Sequence, residues 1–183
     1  MARLDPKFLL LLPGLIGAAL GLAFGGFGPV GLRLDPLVLA SAFATAYLGI
    51  QGLTAAFERL PSFQAAGRLL GGTVQGIGLT PWWALALAAS AGLGEELFFR
   101  GLVLRGLMGL VPVGVAVAGQ AVLFAALHPA PRSAWSYPVW ALIVGLLLGG
   151  VAAGCGSVLP GVLAHYVFNH ENFQAALDEA AAC

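Results

Sequence analysis

Residues 133–170 read SAWSYPVWALIVGLLLGGVAAGCGSVLPGVLAHYVFNH, 38 positions without an Asp, Glu, Lys or Arg. About 18 apolar residues are enough to cross a bilayer as a helix, so this run has room for two crossings. The step Gly154-Cys155-Gly156-Ser157 inside it marks the turn between them. Four more uncharged stretches lie upstream, at 8–32 (25 residues), 36–57 (22), 69–94 (26) and 106–131 (26). Unbroken runs of this length exclude a membrane β-barrel, whose strands alternate over segments of about ten residues. They predict an all-α, polytopic helical membrane protein.

Charge leads to the same class. Only 9% of the 183 residues are charged, against about a quarter in a soluble domain. Eight basic and eight acidic side chains cannot cover a water-facing surface, which excludes a soluble enzyme domain. The formal net charge is zero and no basic cluster occurs, so nucleic acid is not an expected partner. Cys155 and Cys183 have no metal-finger spacing and read as incidental thiols. Arg3 and Lys7 ahead of Phe8 look like the front of a signal peptide. The uncharged run behind them outlasts the roughly 7–15 residues of a signal peptide's apolar core, so a retained first membrane helix is expected.

Six spans fit the stretches, near 8–25, 36–57, 81–104, 110–128, 138–153 and 158–173, in one bundle. The whole of 1–183 then forms a single membrane domain, with no internal repeat. Turns fall at Gly28-Pro29 through Asp35-Pro36 and at Pro129-Ala130-Pro131-Arg132-Ser133, where two prolines cannot continue a helix. The glycine-rich segment 60–80, with Arg68, fits a loop, a surface helix or a re-entrant piece. Gly17, Gly21 and Gly25 lie four apart, as do Gly145 with Gly149 and Gly150 with Gly154. Such spacing lets helix backbones approach closely within one monomer. With the N-terminus inside, Arg3, Lys7, Arg59, Arg68 and Arg132 lie on the inner side, and Arg33 and Arg105 on the outer. That asymmetry predicts a multi-pass cell-membrane protein with both termini cytoplasmic. It does not give the oligomeric state.

Ionisable groups inside spans are costly and call for a partner or a job. Glu96 and Arg100 are four apart on one helical face, in the favourable order for an ion pair. That pairing leaves Glu95, about 100° round the helix, as an unpaired carboxylate, and one pair would suffice for pinning helices together. His128 alone reads as an interfacial histidine beside a proline turn. His165 and Asn169, again four apart, alone read as interhelical glue. Together, three spans bring proton-handling groups into an apolar chain, the pattern of a site buried between helices.

Glu95-Glu96-x-x-x-Arg100, Phe124-x-x-x-His128 and His165-x-x-x-Asn169 resemble the three ordered motifs of the CAAX-protease and bacteriocin-processing family of intramembrane glutamate proteases. The intervening Gly145–Gly149 and Gly156–Pro160 segments agree, and the resemblance covers 82–172 as a catalytic core. It implies that Glu95 with His128 activates a water while His165 and Asn169 face the developing oxyanion. Glu96 and Arg100 would orient the helix. It also implies membrane-embedded or lipidated peptide substrates.

No serine or cysteine stands ready as a nucleophile, since Ser90 has no basic partner in sequence. Direct attack by water is therefore expected, without a cofactor. The alternative is a zinc ion held by His128, His165 and Glu95 with one open position. A non-proteolytic membrane regulator or scaffold of the same family is the alternative function. A small transporter with a Glu/His proton relay is a third.

Overall fold

Proline sets three of the helix starts. Pro36, Pro61 and Pro81 each stand in a first turn, where the missing N–H has no intrahelical partner to lose. They open α2 (Pro36–Phe57), α3 (Pro61–Gly76) and α4 (Pro81–Glu96) in the computed structural model, which describes residues 6–25 and 35–182. Asp35 caps α2, its carboxylate accepting from the Leu37 and Val38 amides at 3.0 and 3.3 Å. Arg3, the turn residues 28–34 with Arg33, and Cys183 lie outside the described residues.

The remaining elements are also helical. α1 (Pro6–Leu20) ends in a π-helical turn, Gly21–Gly25. α4 continues through a π-helical stretch, Leu97–Leu104, into the short α5 (Arg105–Met108). α6 (Val113–Ala126), α7 (Ser136–Cys155) and α8 (Leu159–Ala182) complete the bundle. The fold is all-α. Three helices, Lys7–Phe24, Pro36–Phe57 and Ser136–Cys155, are long and apolar enough to cross a membrane. Large apolar side chains such as Phe24, Leu37, Trp82 and Leu110 are at least three-quarters exposed. Lipid is the medium that suits such a surface, and the chain is a helical membrane protein with apolar spans.

Several boundaries differ from the sequence expectation. Segment 60–80 is mostly the helix α3, amphipathic, with Phe63, Ala66, Leu70, Val74 and Ile77 turned inward. α6 starts only after Pro112 and spans 14 residues, so the expected span 110–128 is shorter than drawn. The span 158–173 is the front of α8, which runs on to Ala182. α7 stops at Gly156, whose φ of 67° is the left-handed cap that glycine adopts without strain.

Small residues set the packing. A Cβ on Gly14 would strike Ser90, one on Gly17 the Gly94 carbonyl, and one on Gly21 Leu97. These contacts climb both helices in the same order, so α1 runs parallel to α4 at backbone-to-backbone range. Gly92 meets Tyr166 and Glu96 meets Gly161, so α8 runs antiparallel to α4. Gly145 meets Ala121, and Gly149 meets Gln120, making α6 and α7 antiparallel. In contrast, a Cβ on Gly150 or Gly154 would meet nothing within 4 Å. Lys7 donates to the Ile77 and Gly78 carbonyls at 3.2 and 3.3 Å, fixing the start of α1 beside the α3–α4 turn. Leu70, Leu79, Leu87, Phe173 and Ala176 join one apolar cluster there, which also places the end of α8 at that side.

Candidate active site

The site begins where α4 changes its winding. The π-helical stretch starts directly after Glu96, and such segments occur often at functional positions because they re-aim side chains. Glu96 and Arg100 are both fully buried, and Arg100 Nη1 donates to Glu96 Oε1 at 3.0 Å. The guanidinium lies 4.6 Å from the Phe124 ring centroid, a cation–π contact in a dry setting. Its Nε and Nη2 have no hydrogen-bond partner.

Glu96 does a second thing that the spacing alone does not reveal. The oxygen that accepts from Arg100 also lies 3.1 Å from His165 Nδ1 on α8. A carboxylate only accepts, so Nδ1 carries the hydrogen and the ring presents Nε2 to the cavity. That Nε2 is 3.9 Å from Glu95 Oε2. On the other side of Glu95, His128 Nε2 stands 3.6 Å from the same oxygen. His128 Nδ1 is 2.7 Å from the Phe124 carbonyl oxygen, another pure acceptor, so in the neutral ring Nε2 carries the lone pair.

The three motifs therefore form one chain of contacts, from Arg100 through Glu96, His165 and Glu95 to His128 and Phe124. Glu95 is a quarter exposed and Glu96 not at all, so the two adjacent glutamates occupy different surroundings. Among the described residues, Glu95 Oε2 has no hydrogen-bond partner. Asn169 is half-buried and lines the same cavity, without a hydrogen bond to the other motif residues.

The cavity is about 640 Å³ and runs from Glu95, His128 and His165 toward α3 and the Pro129–Pro131 loop. Its volume lies in the range of pockets that enclose a small ligand. Phe63 and Leu70 of α3, Trp140 of α7, and Phe168 and Phe173 of α8 give it an apolar wall. Ser62 and Ser136 hydrogen-bond at 2.7 Å and tie α3 to the start of α7. The cavity thus has carboxylate and imidazole groups at one end and apolar side chains along its length.

The family of type II CAAX prenyl endopeptidases, Rce1-like, matches residues 77–170. The chain belongs to the Rce1-like CAAX endopeptidase family. No curated protein and no solved structure matches it. The Rce1-like match takes in Glu95, Glu96, Arg100, Phe124, His128, His165 and Asn169, all the residues of the three motifs.

A zinc site on His128, His165 and Glu95 was the competing reading of these Rce1-like motifs. Among the described residues, no group of three or more His, Cys, Asp or Glu side chains is arranged to hold a metal ion. His165 is turned by Glu96, and its Nε2 lies 3.9 Å, and that of His128 3.6 Å, from one oxygen of Glu95.

Gly161 is a residue of the site that the motifs miss. A Cβ there would come within 2.6 Å of Glu96 Oε2, so glycine admits the carboxylate against the α8 backbone. The signal for it in the sequence is weak, since Pro160-Gly161 reads as an ordinary helix entry.

Proposed function

We propose that this chain is an intramembrane endopeptidase that hydrolyses peptide bonds of prenylated or otherwise membrane-associated substrates by glutamate-activated water. The observation that carries the reading is Glu95 Oε2, flanked by the Nε2 atoms of two histidines at the wall of a partly apolar cavity. Membership of a prenyl endopeptidase family supports it.

Glu95 and neutral His128 present two acceptors side by side, suited to take the two hydrogens of one water. As the water oxygen adds to the peptide carbonyl carbon, one of its protons passes to Glu95. His128 holds the other and orients the attack. The carbonyl oxygen becomes an oxyanion facing His165 and Asn169. An imidazolium at His165 has a carboxylate on each side, Glu96 at Nδ1 and Glu95 at Nε2, and would donate from Nε2. The C–N bond then breaks and the proton on Glu95 passes to the leaving nitrogen. Arg100 and Glu96 hold His165 in place throughout. The apolar wall suits a lipid-modified or membrane-embedded segment.

In this reading residues 1–183 form one membrane domain of six spans, with α1, α2, α4, α6, α7 and α8 crossing the cell membrane and α3 lying at its surface. The start of α1 and the end of α8 share one side of the bundle, which supports an even number of spans. Loop arginines favour that side as cytoplasmic.

The test is cleavage of a farnesylated CAAX peptide, beside its unprenylated form, by purified protein in detergent, read by mass spectrometry. Release of the C-terminal fragment by the wild type, and not by Glu95→Gln, supports the reading. Equal cleavage by both overturns it.

A further inference from the structure

Tyr137 stands in the first turn of α7 and lines the same cavity as Glu95, His128, His165 and Asn169. Its ring meets His128 edge-on, with centroids 6.1 Å apart, and stacks on Trp140 at 5.7 Å. Trp140 is fixed in turn, since Nε1 donates to Thr54 at 3.1 Å and the indole stacks on Phe168. Phe63 closes the other side at 6.5 Å. The phenol is therefore held in orientation by three rings, with Phe168 behind Trp140.

Its hydroxyl, by contrast, has no hydrogen-bond partner among the described residues. Tyr137 is half-buried and lines the cavity, where an entering group can meet it. Three of the neighbouring polar groups are engaged elsewhere. Ser136 pairs with Ser62, Thr54 with Trp140, and His128 Nδ1 with a backbone carbonyl. A phenol hydroxyl can donate its hydrogen into a hydrogen bond with a group that enters the cavity.

We infer that Tyr137 is a further catalytic residue, whose hydroxyl donates a hydrogen bond to the reacting peptide carbonyl and holds it as it becomes an oxyanion. The inference rests on the endopeptidase reading above. No proton is transferred from Tyr137; the hydrogen bond strengthens as the carbonyl oxygen gains charge. The donor comes from α7 and His165 and Asn169 from α8, so the oxyanion would be gripped from two helices.

The variant Tyr137→Phe keeps the ring framework and removes only the oxygen. In turnover of a farnesylated CAAX peptide, kcat is expected to fall on the order of 10²-fold, the usual cost of one lost oxyanion donor. KM and thermal unfolding in detergent should stay unchanged. A kcat within twofold of wild type would overturn the assignment, and so would a loss accompanied by a lower melting temperature.

A second measurement separates this inference from the reading beneath it. The same peptide, carrying ¹³C at the scissile carbonyl, is bound to Glu95→Gln and its carbonyl stretch recorded by infrared difference spectroscopy. Adding Tyr137→Phe should move the stretch to higher frequency. An unmoved stretch with intact wild-type cleavage removes Tyr137 alone. An unmoved stretch with no wild-type cleavage removes both.

Discussion

Glu96 reaches from α4 to α8 and meets His165, Oε1 lying 3.1 Å from Nδ1, while the same oxygen takes Arg100 Nη1 at 3.0 Å. One carboxylate thus neutralises a buried arginine and fixes a histidine tautomer. The arrangement divides the work of two adjacent glutamates. In the proposed reaction Glu96, fully buried, would position, and Glu95, a quarter exposed, would meet what enters.

Replacing Glu96 by Gln should therefore damage fold and chemistry together. The substitution leaves Arg100 charged and fully buried without its carboxylate, a loss commonly worth about 3–5 kcal/mol. It also releases His165 from its orientation. The expected result is a clear drop in melting temperature in detergent along with loss of peptide turnover. A melting temperature equal to wild type would show that the ion pair contributes little and that Arg100 finds other partners.

How much of this was readable follows from the kind of interaction involved. The Glu96–Arg100 pair was legible because a helix places positions four apart on one face, and the π-helical stretch did not undo it. Spacing within a helix says nothing of which partner lies across the bundle, so the Glu96–His165 bond was not readable. Helix α3 is ambiguous in the sequence because its glycines weaken local helix propensity. Its apolar positions 63, 66, 70, 74 and 77 nevertheless keep a helical period and would have revealed it. Of the glycines, Gly17 and Gly145 do sit at close helix contacts, whereas Gly150 and Gly154, with equal spacing, face open space. Periodicity identifies the candidates, and only the packed neighbour decides among them.

Glu95→Gln gives the complementary outcome to Glu96→Gln. It retains shape and removes the proton acceptor, so kcat should fall by about 10²–10⁴. Because Glu95 Oε2 has no hydrogen-bond partner to lose, the melting temperature should hold. A stable variant with wild-type turnover would remove Glu95 from the chemistry.

Chelation tests the metal question directly. With no fitting group of three ligands among the described residues, wild-type turnover should survive prolonged treatment with a zinc chelator. Loss of activity that returns on adding zinc would require the site to close on the ion, and would make Glu95 a ligand.

The proposed topology has its own test. In a background with Cys155 and Cys183 replaced by serine, single cysteines at positions 3 and 178 should be labelled from the same, cytoplasmic, side of intact membrane vesicles. The contact between the start of α1 and the α3–α4 turn, close to the end of α8, motivates the expectation. Labelling from opposite sides would reject an even number of spans.

Gly161→Ala probes the fit between α8 and the Glu96 carboxylate. The added methyl group would lie 2.6 Å from Oε2 and 3.2 Å from Cδ, so one of them must move. Glu96 has little freedom to yield, because its other oxygen is held by Arg100 and His165. A shift large enough to admit the methyl draws Oε1 away from His165 Nδ1. Overpacking of this kind usually costs about 1–3 kcal/mol, and turnover should fall with it as His165 loses its anchor. Glu96→Gln already breaks that anchor, so the two substitutions should not add: the double variant should resemble Glu96→Gln alone in turnover. A double-mutant cycle on turnover measures this coupling. Full additivity would mean that Gly161 acts on the site by some route other than Glu96.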